Sequence, residues 1–203
     1  GVSSAASDVY KRQNLCKEDE QVTTKHLVYT ALMTAIICIL GIVPSVPLPF
    51  MPVPIVLQNI GIFLAGIILG RKLGTTSVIV FLLLVATGLP VLSGGRGGIG
   101  VFAGPSAGFL FLYPVVAYFI GIIRDAYLHK INFLVIFIAT LVIGVLGLDI
   151  LGTIIMGFII HIPISKAFIL SFTFMPGDII KAIIASLIGA AILNHSRFKT
   201  LIQ

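Results

Sequence analysis

The chain has 203 residues, 58% hydrophobic and only 10% charged, with a mean hydropathy of +1.17. A typical soluble domain carries roughly 25% charged residues, so a water-soluble globule is excluded. At about 20 apolar residues per span there is room for roughly six membrane helices, and none for a separate catalytic domain, a fused ATPase or a large extracellular module. Thirteen Lys+Arg against seven Asp+Glu give a net charge of +6. The basic residues are spread singly between apolar runs, unlike the clustered basic face of a nucleic-acid binder.

Residues 1–22 are polar and hold four of the seven acids, Asp8, Glu18, Asp19 and Glu20. They read as an expression remnant or unstructured tail outside the fold. Residues 23–203 form the membrane domain. Its apolar runs predict six helices at about 25–43, 55–70, 73–90, 105–123, 132–160 and 166–193, an all-α bundle. Open sheets are excluded in lipid, and the runs lack the alternation of a barrel. The fifth run is long for one span, which implies tilt or an end outside the hydrocarbon. Cys16 in the tail and Cys38 in an apolar run are not expected to pair, and no Cys/His spacing suits a metal. No cofactor is expected.

Lys25, Arg71, Lys72, Arg124, Lys130, Arg197 and Lys199 all fall on one side if the helices alternate. The other side carries Arg96 and Lys166, and Lys181 lies within the last helix. By the positive-inside rule both termini face the cytoplasm. The outward segments are unusual. The first, Val43 to Pro54, is proline-rich and uncharged, and reads as a stiff apolar strap. The second, Ser93 to Gly108, is rich in glycine, which lets backbone N–H groups approach a ligand. The third leads into Phe174-Met-Pro-Gly-Asp178, which restarts the sixth helix.

Gly95-Arg-Gly-Gly-Ile-Gly100 matches G-x-G-x-x-G formally, but a dinucleotide site needs a preceding strand, and here the motif joins two membrane helices. Arg96 is the only charge in that loop. It is either an interfacial arginine reaching lipid phosphate or an anion anchor. The flanking Gly95 and Gly97 clear space around it and favour an anchor for a carboxylate. Asp178 and Lys181 lie three apart on one helix face. They are either a mutually satisfied helix-start pair or a grip for an amide or urea group, the carboxylate accepting N–H and the ammonium donating to C=O. Asp149 lies about 17 residues into the fifth helix, roughly 25 Å from its start and so near the layer of Asp178 and Arg96. Ligand contact and pairing with Lys166 or Lys181 stand even for it. Of Gln58 and Asn59, at least one is expected to face the bundle interior. Phe102, Phe109, Phe111, Tyr113 and Tyr118 are each packing or pocket residues, with Tyr113 the better pocket candidate because its hydroxyl needs a partner. Ala31 and Ala35, and Gly66 and Gly70, form small-xxx-small pairs suited to close helix approach.

Pro54-Ile-Val-Leu-Gln58, Gly88-Leu-Pro-Val-Leu-Ser-Gly-Gly-Arg-Gly-Gly98, Gly104-Pro-Ser-Ala-Gly108 and Pro176-Gly-Asp-Ile-Ile-Lys181, in this order, resemble the BioY family, the biotin-binding S components of energy-coupling factor (ECF) transporters. The third motif departs from the family's Gly-Pro-Thr-Gly-Gly by a small-for-small change. The resemblance implies a six-helix substrate-binding subunit in a prokaryotic cell membrane, without its own ATPase. Biotin would be held near the outer surface beneath the first loop. The implied partners are a transmembrane coupling subunit, docked on Ala31 and Ala35, and two cytoplasmic ATPases. Biotin's ureido group is assigned to Asp178 and Lys181 and its carboxylate to Arg96 and nearby N–H groups, with Lys181 at the carboxylate as the alternative. Gln58, Asp149, Tyr113, Gly95 and Gly97 complete the expected site. The rival readings are an S component for riboflavin or thiamine, a scaffolding membrane protein and an intramembrane enzyme. The enzyme would lack a metal-binding acidic cluster or a Ser/His/Asp set, since His26, His129 and His195 sit at cytoplasmic helix ends and His161 is alone outside.

Overall fold

The computed structural model describes residues 23–44, 56–128 and 132–195. The polar tail, most of the proline strap, His129, Lys130, Arg197 and Lys199 lie outside the described residues. Within them are five helices long and apolar enough to cross a membrane: α1 (Thr23–Ile42), α2 (Gln58–Ala86), α3 (Ala107–Ala126), α4 (Phe133–Ile159) and α5 (Ile164–Asn194). A short 3-10 turn, Ile99–Phe102, sits in the glycine-rich loop. Among the described residues there is no sheet, only an isolated bridge between Leu92 and Arg96.

The second and third predicted helices are continuous in sequence but not in direction. Gly70 interrupts α2 with φ 75° and ψ −171°, a conformation essentially confined to glycine. Beyond it the chain folds back on itself. A Cβ on Gly74 would stand 3.2 Å from the Cα of Gly66, whereas an unbroken helix would hold these residues roughly 12 Å apart. At the other end Gln58 Nε2 donates to the carbonyl of Val91 at 3.1 Å, so the limbs 58–69 and 71–86 run antiparallel. The loop expected at 71–72 is thus a one-residue reversal, and the second limb ends at Ala86 rather than near 90. This also corrects the reading of Gly66 and Gly70 as one packing face. Gly66 abuts the Ala117 carbonyl and Ile120 of α3, while Gly70 is the turn.

The long fifth run is a single helix, α4, whose middle, Thr140–Gly147, is π-helical. A π turn is wider than an α turn, and here Gly144 meets the ring of Phe63. A second correction concerns α5, which runs unbroken through Pro176. Pro-Gly-Asp therefore lies inside the helix instead of starting it. Asp178 has no free helix N-terminus to stabilise it, and its charge needs side-chain partners.

In lipid the hydrophobic effect does not drive helices together, so close approach and polar bonds must. Gly108 and Gly152 bring α3 and α4 together, a Cβ on Gly108 falling 2.7 Å from the Gly152 carbonyl. Thr34 Oγ1 of α1 donates to the Ser77 carbonyl of α2 at 3.0 Å. Outside, Leu27, Leu32, Ile39, Ile169, Phe172, Ile180 and Leu187 are exposed, a surface suited to lipid rather than water. The ends of the bundle differ. Arg71, Arg124 and Asp125 cluster at the Gly70 reversal, and Arg96 occupies the opposite end beside Ser106.

Candidate functional site

At the Arg96 end a small pocket, about 40 Å³ of free space, opens between α2, α3, α4 and α5. Val56, Leu92, Phe109, Leu110 and Phe174 supply its apolar wall, with the rings of Phe109 and Phe174 edge to face at 5.7 Å. Beside Arg96 and Ser106 of the glycine-rich loop, its polar groups converge from four helices. Gln58 and Asn59 open α2, Tyr113 comes from α3, Asp149 from α4, and Asp178 and Lys181 from α5.

These groups form a connected network. Tyr113 Oη donates to Asn59 Oδ1 at 3.1 Å, Asn59 Nδ2 donates to Asp178 Oδ2 at 2.8 Å, and Lys181 Nζ donates to Asp178 Oδ1. Asp178 and Lys181 are 2% and 4% exposed. A buried ion pair is tolerable only when further hydrogen bonds satisfy its members, and Asn59 supplies one. Asp149 is also buried and lies beside Asp178, yet it joins no ion pair among the described residues. Its Oδ2 has no hydrogen-bond partner among the described residues. Neither Lys166, which is exposed, nor Lys181 neutralises it directly.

Arg96 guards the mouth. Its Nε donates to the Ser93 carbonyl at 3.2 Å and a terminal nitrogen donates to Ser106 Oγ at 3.3 Å. A guanidinium carries five N–H donors, so capacity remains for an anion. Gly95 and Gly97 do not line the pocket. The Gly95 N–H donates to the Leu92 carbonyl, and Gly97 packs beneath the loop against Leu89. Gly94, Gly95 and Gly98 have positive φ, which shapes the turn presenting Arg96.

Six expected residues thus share one cavity: Gln58, Arg96, Tyr113, Asp149, Asp178 and Lys181. Gln58 is a brace more than an open contact, since its amide also donates to the Ile37 carbonyl at 3.2 Å. Phe109 lines the pocket, but Phe111 and Tyr118 face outward and Phe102 lies outside the lining. Leu92, Ser106 and Phe174 also line the pocket; each lies in a segment the sequence singled out, but none was named there as a site residue. Ala31 and Ala35 are exposed on α1, away from this site. No His/Cys/Asp/Glu group suited to a metal occurs among the described residues, and Cys38 is a free thiol.

A multi-helix membrane bundle with an enclosed polar–apolar pocket at one end defines a membrane-embedded ligand-binding protein. The BioY family model matches residues 13–198, and the chain belongs to the BioY family. It is 44% identical to the Biotin transporter BioY of Lactococcus lactis, covering 86% of this chain and 94% of that protein. It is 43% identical to the Probable biotin transporter BioY of Bacillus subtilis, covering 82% and 89%. A crystal structure of the S-component for biotin from an ECF-type ABC transporter superposes with a TM-score of 0.84 at 39% identity, covering 90% of this chain and 98% of that one.

Proposed function

We propose that the chain is the biotin-capturing S component of an ECF transporter, a binding subunit rather than an enzyme. The observation that carries this is the Asn59–Asp178–Lys181 network inside an otherwise apolar pocket. A ureido group offers two N–H donors and one C=O acceptor. Asp178 and the unpartnered oxygen of Asp149 accept the former, and Lys181 donates to the latter. Phe109, Phe174 and Leu110 enclose the bicyclic ring, and Arg96 holds the tail carboxylate at the mouth.

The Gly70 reversal supports counting α2 as two spans, hence six in all, with both termini cytoplasmic and the pocket opening outward in a prokaryotic cell membrane. Residues 23–203 then form one substrate-binding domain. Uptake depends on a coupling subunit docked on the exposed Ala31 and Ala35, driven by two cytoplasmic ATPases.

Titrating the detergent-purified chain with biotin, with riboflavin and thiamine as controls, tests the proposal. Saturable one-to-one binding of biotin alone is expected. Absence of biotin binding by folded protein, or preference for either control, overturns it.

A further inference from the structure

A second cleft lies between α3 and α4, at the opposite end of the bundle from the biotin site. Its inner part, walled by Ile67, Ile120 and Arg124, is narrow, with free space for about one water molecule. Its outer part, about 380 Å³, is an apolar groove bordered by Tyr127, Ile138 and Val142, each half exposed or nearly so. Ile123, Val135 and Ala139 line both parts, so the two are continuous.

Arg124 gives this cleft its chemistry. Its side chain is 6% exposed. One terminal nitrogen donates to Asp125 Oδ1 at 2.9 Å and the other to the Ile68 carbonyl at 3.1 Å, but Nε has no partner among the described residues. Asp125 does not neutralise Arg124 alone, because it also accepts from the Arg71 backbone N–H at 3.2 Å and pairs with the Arg71 guanidinium at 3.8 Å. Among the described residues two guanidiniums thus share one carboxylate, which leaves a surplus positive charge and an unused N–H at a buried position. The groove runs along α4 from Val135 to Val142, about 10 Å at helical rise, within the roughly 15 Å of one leaflet's hydrocarbon. An apolar trough that deep, ending at an undersatisfied cation, matches a molecule with an acyl chain and an anionic head.

We propose that this cleft binds one anionic phospholipid, its phosphate at the mouth of the narrow inner part, towards Arg124, and one chain lying against Ile138 and Val142. The proposal is independent of the identity of the pocket ligand. The test is native mass spectrometry of the detergent-purified chain mixed with phosphatidylglycerol or phosphatidylcholine of matched chains, with inorganic phosphate as a third arm. Phosphatidylglycerol adducts severalfold more abundant than phosphatidylcholine adducts, and little retention of phosphate, are expected. Val142→Trp, which fills the groove without touching Arg124, should abolish the preference while leaving biotin binding intact. Arg124→Gln should lower phosphatidylglycerol retention to the phosphatidylcholine level. If Arg124→Gln does not yield folded protein, Val142→Trp decides. Equal retention of both lipids, equal retention of free phosphate, or a preference that survives Val142→Trp overturns the proposal.

Discussion

Asn59 and Asp178 are separated by 119 residues, yet the Asn59 amide donates to the Asp178 carboxylate at 2.8 Å. This bond ties the first turn of α2 to the interior of α5 and leaves Asp178 shared between a neutral donor and the ammonium of Lys181. The carboxylate is thereby fixed in orientation before any ligand arrives, which lowers the ordering cost of binding.

The charge pair separates stability from affinity. Asp178→Asn leaves Lys181 buried without its counter-ion, and breaking such a pair costs about 3–5 kcal/mol of stability. Replacing both residues, as Asp178→Asn with Lys181→Met, removes that uncompensated charge, so the double variant should melt closer to the parent than Asp178→Asn alone. Biotin affinity should not recover in the double variant. Each lost hydrogen bond to a charged group is worth about 1.5–3 kcal/mol, roughly tenfold or more in Kd. Melting curves and calorimetric titration on both variants check this. Unchanged affinity in Asp178→Asn and Lys181→Ala would remove both residues from the site.

Arg96 is exposed and, among the described residues, its side chain hydrogen-bonds only Ser93 and Ser106, so Arg96→Ala should leave the melting temperature essentially unchanged. If its guanidinium meets the tail carboxylate, the parent protein binds biotin more tightly than its neutral amide, by roughly two- to fivefold for a partly screened pair. Arg96→Ala should bind the two ligands equally. A preference for biotin that persists in the variant would assign the carboxylate to Lys181 instead.

Much of the site was legible in the sequence because ionisable residues are rare in an apolar chain, and each one therefore stands out. Asp149, Asp178, Lys181 and Arg96 were identifiable on that ground and do converge on one cavity. The apolar wall was not legible, because Phe174 and Leu110 look like any other lipid-facing or core residue until the packing is known. Helix boundaries failed where backbone geometry decided them. Gly70 reverses the chain in a single residue, where charge at Arg71 and Lys72 pointed to a loop. Pro176 marked a helix start by local rule but sits inside α5, because neighbouring helices in a membrane re-satisfy the backbone that proline frees.

The reversal at Gly70 makes a sharp demand on sequence. Its φ of 75° with ψ of −171° lies where only glycine is at ease. A Cβ there would also collide with the Asp125 carboxylate, near the Arg124 guanidinium. Gly70→Ala should therefore destabilise the protein by more than the roughly 1–3 kcal/mol of backbone strain alone. It would be read as a loss of folded yield or a clearly lower melting temperature in detergent. A Gly70→Ala variant as stable as the parent would show that α2 does not turn there.

Ala31 and Ala35 lie one helical turn apart on an exposed face of α1, so enlarging them should not disturb the bundle or the pocket. Tyr113→Phe provides the contrasting case. It removes the hydroxyl that donates to Asn59 at 3.1 Å and leaves Asn59 Oδ1 without that bond, at a cost of about 1 kcal/mol. Biotin binding should therefore weaken severalfold in Tyr113→Phe and remain unchanged in Ala31→Trp with Ala35→Trp. Co-purification with the coupling subunit and ATPases should respond in the opposite sense, lost with the tryptophans because the close helix approach is blocked, and retained in Tyr113→Phe. Co-expression of each variant with the partner subunits, followed by pull-down and biotin titration, separates the two surfaces. Normal co-purification of the double tryptophan variant would place the docking face elsewhere on the bundle.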